Sequence, residues 1–507
     1  MIQWLYIILG AVYILISVAF FVFGANLYYL SVITRRESRK KEETPVMVGD
    51  WPDVTVQLPI FNELYVAERL INVVAQLDYP AEKLQIQVLD DSTDETFSLV
   101  KQTVQKLKAR GVNISHIHRV DRTGFKAGAL QNGLAQATGE FIALFDADFI
   151  PNKDFLLRTV PYLQNPNIAF VQARWGHVNR NYSWFTRMQA ITIDAHFMVE
   201  QFGRSRGGYW FNFNGTAGVW RRQAMEDAGG WRADTLTEDL DLSYRVFLKG
   251  WEAEYVRSVE VPAELPVHFS GFRRQQHRWA RGSLECAFNL VKRVSQAKVP
   301  LMKRVQGLLH LTAYGIHLLL FATLLIYPGV VEIGLIYPRF QFLYGLSFLL
   351  GVTAFAPTLF FVLGQKQLGR PVLKQIPQII LVSIIGSGMM FNTTRALWQI
   401  FRGRKEVFER TAKFGIEKKR ENWQAKRYQL RFDSIVYFEL FFGLYGLYAG
   451  WRALTNINLG VAFYALFFAT GLLLVATITI AETISVYRFR KARQQTLATE
   501  KTQWSAN

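Results

Sequence analysis

Cysteine is almost absent from this sequence, and acidic residues are scarce relative to basic ones. Cys286 is the only cysteine in 507 residues, which excludes an intramolecular disulfide and a zinc site made of several cysteines. We expect it to be a small, buried, apolar side chain. Lys and Arg number 58 against 40 Asp and Glu, a formal charge of +18. The basic residues lie beside apolar stretches rather than on a recognisable nucleic-acid module, so we expect membrane lipids and phosphate ligands as partners, and no nucleic acid.

Long apolar stretches divide the chain. Residues 4–33 are long enough to cross a bilayer and show neither a basic start nor a cleavage site, so residues 1–34 are predicted to be a retained transmembrane helix. Basic residues follow at 35–41, and the positive-inside bias therefore places the chain up to residue 304 in the cytoplasm. Comparable apolar runs occur near residues 305–328, 338–363, 434–453 and 459–486.

A sixth apolar stretch, residues 376–400, is ambiguous. If it crossed the membrane, the basic segment 402–431 and the basic tail would both lie outside, against the positive-inside bias. We therefore predict an interfacial or re-entrant helix here, with a sixth span as the alternative. The resulting segments are 291–400 with interfacial helices and two transmembrane helices, a cytoplasmic loop at 402–431, two transmembrane helices at 434–487 and a cytoplasmic tail at 488–507.

The hydrophilic region between residues 50 and 290 has a different pattern. Short β-branched segments alternate with helix-like segments, which predicts an α/β domain with a mainly parallel sheet, Rossmann-like, inserted between the membrane helices. In such sheets the ligand crevice lies at the carboxyl ends of the strands. The predicted strands begin near residues 54, 84, 113, 140 and 167, and the predicted helices cover 63–77, 94–110 and 126–138.

A pair of aspartates stands at the carboxyl end of each of two predicted strands. Asp90 and Asp91 end one, and Asp146 and Asp148 end another. Buried carboxylates without a partner are costly, so a ligand is expected. The Asp-x-Asp pair offers the hard oxygen ligands that Mg²⁺ or Mn²⁺ prefers, with the phosphates of a nucleoside diphosphate completing the shell. A turn with Asx-type hydrogen bonds is the structural alternative.

A third acidic group precedes a predicted helix. Thr237, Glu238 and Asp239 occur in the segment TLTEDLDLSYR, where one carboxylate is available as a general base. The structural alternative is that these carboxylates complement the positive end of the helix dipole.

Six motifs follow one another in a fixed order: DDSTDE from 90, TGFKAGAL from 123, FDADF from 145, FNGTAGVW from 213, TEDLDL from 237 and QQHRW from 275. In this order the chain resembles the membrane-embedded family-2 glycosyltransferases of the cellulose synthase superfamily, and is most like the cellulose synthase-like A mannan synthases of plants and their bacterial relatives. The resemblance covers roughly residues 50–415.

This resemblance implies a GT-A catalytic domain at residues 50–290 and an inverting transfer of a hexose from a nucleotide sugar, UDP-glucose or GDP-mannose. The product would be a β-linked polysaccharide, with β-1,4 as the expected linkage, that moves through the membrane. A non-processive enzyme that adds a sugar to a lipid acceptor is the alternative, and a catalytically inactive scaffold would lack at least one of the carboxylates. We expect an integral membrane protein of a bacterial cytoplasmic membrane rather than of the Golgi, with its catalytic domain in the cytoplasm.

The resemblance also assigns roles to matching positions. The nucleoside would be held by Asp90 or Asp91, the diphosphate assisted by Lys126, and the metal, Mg²⁺ or Mn²⁺, bound by Asp148 together with Asp146, which also faces the nucleotide sugar. Asp239 would be the catalytic base, with Glu238 as the next candidate. The acceptor would be bound by Phe213, Asn214, Gly215, Thr216, Gln275 and Trp279.

The basic segment RRQQHRWARGS contains three of the candidate site residues. Arg278 has the geometry to clamp phosphate oxygens of the leaving group, Trp279 offers an apolar face to a sugar, and Gln275 can hydrogen-bond to sugar or backbone. The alternative is an interfacial helix with arginines among lipid headgroups, which fits Arg273 and Arg274 better than Arg278.

The segment FERTAKFG from 408 resembles the Phe-x-x-Thr-x-Lys gating loop of cellulose synthases. Thr411 and Lys413 would then contact the diphosphate, although Arg410 and Ala412 depart from the usual family pattern. A solvated basic loop is the alternative.

Overall fold

A computed structural model describes the chain at residues 2–42, 44–337, 351–403, 410–418, 421–426 and 432–506. Its strands are β1 (Val54–Ile60), β2 (Leu84–Asp90), β3 (Ile114–His118), β4 (Phe141–Leu144), β5 (Ile168–His177), β6 (Gly218–Arg221) and β7 (Glu252–Ala263).

The seven strands form one sheet in the order β3-β2-β1-β4-β6-β5-β7. Only β6 runs antiparallel to its neighbours, β4 and β5, so the predicted mainly parallel sheet is confirmed. All five predicted strands are present. β6 and β7 were not predicted: β6 is only four residues long, and β7 is an edge strand whose apolar residues alternate with charged ones.

Helices cover both faces of the sheet. They are α2 (Ala67–Val74), α3 (Thr96–Ala109), α4 (Phe125–Leu134), α5 (Phe155–Thr159), α6 (Trp184–Ala195), α7 (Phe202–Arg206), α8 (Arg222–Asp227) and α9 (Glu238–Leu248), with a π-helical segment at His196–Gln201. One core cluster includes Val56, Val88 and Val100, and the other includes Leu144, Phe170 and Trp220. The inner strands β1, β4 and β6 are buried on both faces, because strands covered by helices have no solvated side. The edge strands β3 and β7 also carry half-buried and exposed residues.

The remaining helices follow the sheet or precede it. They are α1 (Ile2–Glu37), α10 (Phe269–Ser295), α11 (Leu301–Leu311), α12 (Gly315–Ile336), α13 (Ala356–Gln367), α14 (Val372–Gly388), α15 (Met390–Phe401), α16 (Ile435–Thr455) and α17 (Leu459–Ala506). The apolar run near 305–328 does not coincide with a single helix. The run is divided between α11 and α12, because the helix is interrupted at residues 312–314.

Four helical segments in the described part of the chain are long and apolar enough to cross a membrane: Trp4–Glu37, Gly315–Ile336, Val372–Phe401 and Leu459–Gln495. α16 is 21 residues long but is not among them. The segment Val372–Phe401 is broken at Met389, between α14 and α15. Of the predicted span 338–363, residues 338–350 lie outside the described residues, and the division of the chain into five spans stays a prediction.

Candidate active site

The motifs gather around one cleft at the carboxyl ends of β1, β2 and β4. The cleft has a cavity volume of about 180 Å³, and α10 and the segment 410–413 line its other sides. The candidate residues that line it are Asp91, Lys126, Asp146, Asp148, Asn214, Gly215, Glu238, Asp239, Gln275, Arg278, Trp279, Thr411 and Lys413. Residues from seven separate motifs therefore face one another.

Three candidate residues are not part of the lining of this cleft. Asp90 is fully buried, and its carboxylate accepts hydrogen bonds from Nε2 of His116 at 2.8 Å and the backbone N–H of Ser92 at 2.9 Å. Phe213 is fully buried against the Trp220 ring. Thr216 is also fully buried, and its hydroxyl accepts a hydrogen bond from the Asp146 N–H at 2.8 Å. Of the predicted nucleoside pair, Asp91 therefore lines the cleft and Asp90 does not. Phe213 and Thr216 lie behind the cleft lining.

The two carboxylates after β4 each contact an ammonium group. Oδ1 of Asp146 lies 2.6 Å from Nζ of Lys126, and Oδ2 of Asp148 lies 2.7 Å from Nζ of Lys413. Asp148 is buried, whereas the Asp146 side chain is 35% exposed. Both carboxylates line the cleft and offer the oxygen ligands that Mg²⁺ or Mn²⁺ prefers, at positions that the two ammonium groups neutralise in this structure.

Glu238 and Asp239 begin α9 and point their acidic groups toward the same cleft. Burial, together with the neighbouring charge of Glu238, raises the pKa of Asp239 to about 7, while Lys126 acts in the opposite direction. A carboxylate with a pKa near neutrality can accept a proton and release it at physiological pH. This is the electrostatic environment that a general base requires.

Gly215 fits closely against this carboxylate. Its φ is +75°, and a Cβ atom there would lie 3.0 Å from Oδ2 of Asp239 and 3.5 Å from Nζ of Lys126. A side chain would therefore be strained and would crowd the Asp239 carboxylate. The Gly215 carbonyl accepts a hydrogen bond from Nζ of Lys126 at 3.0 Å, so the FNG segment positions both groups.

Two cations stand beside the acidic groups. Burial lowers the pKa of Lys126, but Asp146 and Glu238 raise it, and the net pKa is raised. Burial lowers the pKa of Arg278, against the opposite effect of Glu238 and Asp146. An arginine remains charged after such a shift. The cleft therefore combines fixed positive charge with carboxylates, an arrangement that suits a diphosphate and a metal ion.

The segment 410–418 covers the cleft and is held by carboxylates. Glu264 accepts hydrogen bonds from the N–H groups of Phe414 at 3.0 Å and Gly415 at 2.7 Å. Nη1 of Arg410 lies 3.0 Å from Oε2 of Glu63. The Thr411 hydroxyl is buried and has no hydrogen-bond partner among the described residues, so it is available to a ligand. The first residue of the gating-type motif, Phe408, lies outside the described residues.

Two residues that the sequence did not predict bear on the cleft: Glu63 lines it, and Arg119 contacts the lining residue Asp91. Glu63 follows β1 just as Asp146 follows β4, so the same strand-end rule would have found it. Burial and the nearby Asp148 raise its pKa to about 8, although Arg410 lowers it. Arg119 binds both carboxylate oxygens of Asp91, at 2.9 and 2.6 Å. No sequence signal distinguishes that arginine from its neighbours.

Buried polar contacts join helix α10 to α15 and α16. Arg273 is 1% exposed and forms an ion pair with Glu439 of α16, at 2.6 Å, so the placement of Arg273 among lipid headgroups is wrong. His277 is buried between Asn392 and Gln399, at 3.1 and 2.9 Å. These contacts fix the helix that carries Gln275, Arg278 and Trp279.

Comparison with known proteins identifies proteins that are similar to this chain in sequence or in fold. Residues 52–282 match the model of the family described as Glycosyltransferase like family 2. The chain is 43% identical over 284 residues to Glucomannan 4-beta-mannosyltransferase 1 of Cyamopsis tetragonoloba, covering 55% of this chain and 52% of the relative. It is 49% identical over 237 residues to Probable glucomannan 4-beta-mannosyltransferase 11 of Oryza sativa subsp. japonica, covering 46% and 42%.

The chain spans about half the length of the curated relatives it matches. A solved structure with a similar fold is the mannosyltransferase PcManGT from Pyrobaculum calidifontis in complex with GDP-Man and Mn²⁺, with a TM-score of 0.52 and 22% identity. The superposition covers 78% of this chain and 100% of that one. The sheet, the ordered motifs and these matches agree, and residues 52–282 of this chain are a glycosyltransferase family 2 domain with the GT-A fold.

Proposed function

We propose that this protein transfers mannosyl units from GDP-mannose, with inversion, to the end of a β-1,4-linked polysaccharide. UDP-glucose is the second donor that we consider. The observation that carries the proposal is the position of Asp239, whose pKa of about 7 suits a base, in one cleft with Asp146, Asp148, Lys126 and Arg278. The mannosyltransferase names of the relatives support the choice of sugar.

The proton of the acceptor hydroxyl goes to Asp239. Attack on the anomeric carbon requires this hydroxyl to lose its proton as the new bond forms. The carboxylate lies at the start of α9 and faces the cleft, where Gly215 leaves room beside it. Displacement from the side opposite the diphosphate gives the β-linkage from an α-linked donor.

The departing diphosphate requires neutralisation. Asp146 and Asp148 would hold Mg²⁺ or Mn²⁺, which supplies positive charge to the leaving group when bound. Lys126 and Arg278 line the same cleft and provide fixed positive charge. Thr411 and Lys413 approach from the covering segment, so phosphate oxygens have donors on two sides of the cleft.

The acceptor would lie against α10. Trp279 and Gln275 line the cleft on that helix, and Asn214 lines it on the sheet side. Because Arg273 forms a buried ion pair with Glu439, helix α10 is joined to α16. An acceptor site joined to these helices is compatible with a glycan that leaves through the membrane, which we propose in preference to a single transfer to a lipid. We also propose that the catalytic domain lies on the cytoplasmic side of a bacterial membrane.

The test uses the purified full chain in lipid nanodiscs with either GDP-mannose or UDP-glucose, and with Mg²⁺ or Mn²⁺. We expect GDP release and a polymer that an endo-β-1,4-mannanase degrades, with Asp239→Asn as the inactive control. Turnover of UDP-glucose alone would change the assigned sugar. A product of one added sugar on a lipid would contradict processive elongation, and absence of nucleotide release with both donors would contradict the enzyme itself.

A further inference from the structure

Two histidines stand side by side at the edge of the sheet, outside the cleft. His116 and His118 are alternate residues of β3, so their side chains leave the same face of the strand. β3 pairs in parallel with β2, with His118 opposite Asp90 and His116 opposite Val88. This register brings the carboxylate at the end of β2 next to both imidazole rings.

The distances among the three side chains suit a small ion. Oδ2 of Asp90 lies 2.8 Å from Nε2 of His116 and 3.9 Å from Nδ1 of His118, and one ligand atom from each residue lies within 4.8 Å of the other two. Tetrahedral zinc with bonds of roughly 2.0 to 2.1 Å separates its ligands by about 3.3 Å. The two separations lie on either side of that value. Nδ1 of His118 also lies 2.9 Å from the Asp90 carbonyl oxygen, so metal binding through this nitrogen requires that contact to be replaced and the imidazole to shift toward the carboxylate.

The surroundings hold the three groups in place and leave one side open. The second oxygen of Asp90 accepts a hydrogen bond from the Ser92 N–H at 2.9 Å, the kind of contact that orients a ligating carboxylate. The Phe97 ring packs on His116 and His118, with centroids 5.5 and 4.6 Å away. The His116 side chain is 13% exposed and the His118 side chain 31%, so an ion can enter and keep a water ligand.

We propose that Asp90, His116 and His118 form a second metal site, for a borderline divalent transition ion such as Zn²⁺ or Co²⁺. Two imidazole nitrogens and one carboxylate favour such ions over Mg²⁺, which prefers oxygen ligands only. The site is separate from the Asp146 and Asp148 pair, because neither histidine is among the residues that line the cleft in the described part of the chain. The inference does not depend on the proposed transferase activity.

The experiment is a Co²⁺ titration of the metal-stripped full chain, followed by visible absorption. We expect one equivalent of Co²⁺ with the intense ligand-field bands of a four-coordinate ion, displaced by Zn²⁺ and not by Mg²⁺. The double variant His116→Gln/His118→Gln should lose these bands. His118→Gln alone, at a partly exposed position that is tolerant of change, should weaken Co²⁺ binding by at least about tenfold.

Two control variants make the result specific. His196→Gln removes an imidazole of similar exposure, 30%, elsewhere in the chain, and Asp148→Asn changes the oxygen pair in the cleft. Both should keep the Co²⁺ bands, with thermal unfolding confirming that every variant is folded. The proposal fails if the folded double variant retains the bands, or if Asp148→Asn abolishes them.

Discussion

Nζ of Lys413 lies 2.7 Å from Oδ2 of Asp148, a carboxylate 265 positions earlier in the chain. The same ammonium group donates to the backbone carbonyl of Glu264 at 2.6 Å. A lysine of the covering segment therefore contacts a carboxylate that we propose as a metal ligand. An ammonium group and a divalent cation that approach the same carboxylate repel each other, so the two cations compete for it.

The first prediction concerns this competition. In the absence of nucleotide, Lys413→Ala should increase the affinity for Mn²⁺ by about three- to tenfold. This is the change expected when one competing cation is removed from a partly buried ion pair. The same variant should lose at least about tenfold in turnover with the donor, because a donor to the departing phosphate is gone. Calorimetric titration with Mn²⁺ and initial rates measure the two effects.

Lys418→Ala is the matched control for Lys413. Lys418 is exposed in the same covering segment, and its loss should leave both quantities within about twofold. Equal effects of the two substitutions would mean that the net charge of the segment, rather than contact with Asp148, determines the affinity for the metal ion.

The second prediction concerns the base. Asp239→Asn keeps the size of the side chain but cannot accept a proton, so turnover should fall by about 10² to 10⁴ with nearly unchanged nucleotide-sugar affinity. Asp148→Ala should weaken nucleotide binding and turnover together, because a metal ligand acts already in the ground state. If Asp239→Asn loses nucleotide binding as severely as Asp148→Ala, the base lies elsewhere, and Glu238 becomes the candidate.

The third prediction concerns pH. Burial and the charge of Glu238 raise the pKa of Asp239 to about 7, and a base acts when it is deprotonated. We therefore expect kcat/KM to increase with pH and to reach half its maximum near pH 7, since this quantity reports the free enzyme. Glu238→Gln removes a neighbouring negative charge and should move the midpoint to lower pH. A midpoint that does not move would contradict the coupling between these two carboxylates.

The sequence predicted the cleft well for a physical reason. Carboxyl ends of parallel strands meet at one edge of a sheet, so Asp91 and Asp146 could be brought together without coordinates. Glu63 obeys the same rule after β1 and could have been added. Arg119 could not, because its contact with Asp91 depends on the path of the loop after β3.

The arrangement of α10 and the helices that follow it was less predictable from sequence. A hydropathy pattern assigns an arginine near an apolar run to lipid headgroups, whereas Arg273 is buried against a residue 166 positions away. The pattern also did not show that the run near 305–328 is interrupted between α11 and α12. Both features arise from packing between distant helices, which local composition does not contain.

The fourth prediction tests the link between α10 and α16. The Arg273 and Glu439 side chains are each 1% exposed and 2.6 Å apart, so replacement of one leaves a buried charge unpaired. Arg273→Met and Glu439→Leu should each destabilise the protein by about 3 to 5 kcal/mol, and the double variant by much less. Thermal unfolding in nanodiscs measures the coupling. Additive losses in the double variant would show that the two side chains contribute independently.

The last prediction concerns the segment Val372–Phe401, which has the length and composition of a membrane span. Its two ends nevertheless contact the catalytic domain. Arg370, just before α14, donates a hydrogen bond to Asp194 of α6, and Gln399 in α15 is bonded to Nε2 of His277 at 2.9 Å. A helix that crosses the bilayer would have one end far from that domain. The contacts at both ends, together with the break at Met389, therefore support a re-entrant path.

Cysteine labelling distinguishes the two paths. Cys286 is buried, and its replacement by Ala provides a background for the single variants Lys41→Cys, Arg402→Cys and Ile457→Cys. We expect an impermeant maleimide to label position 457, between α16 and α17, in intact cells, because Ile457 is 84% exposed and belongs to the outer side of the five-span arrangement. Positions 41 and 402 should be labelled only after the membrane is permeabilised. Labelling of 402 in intact cells, with 41 still protected, would mean that α14 and α15 cross the bilayer, and the five-span arrangement would be wrong.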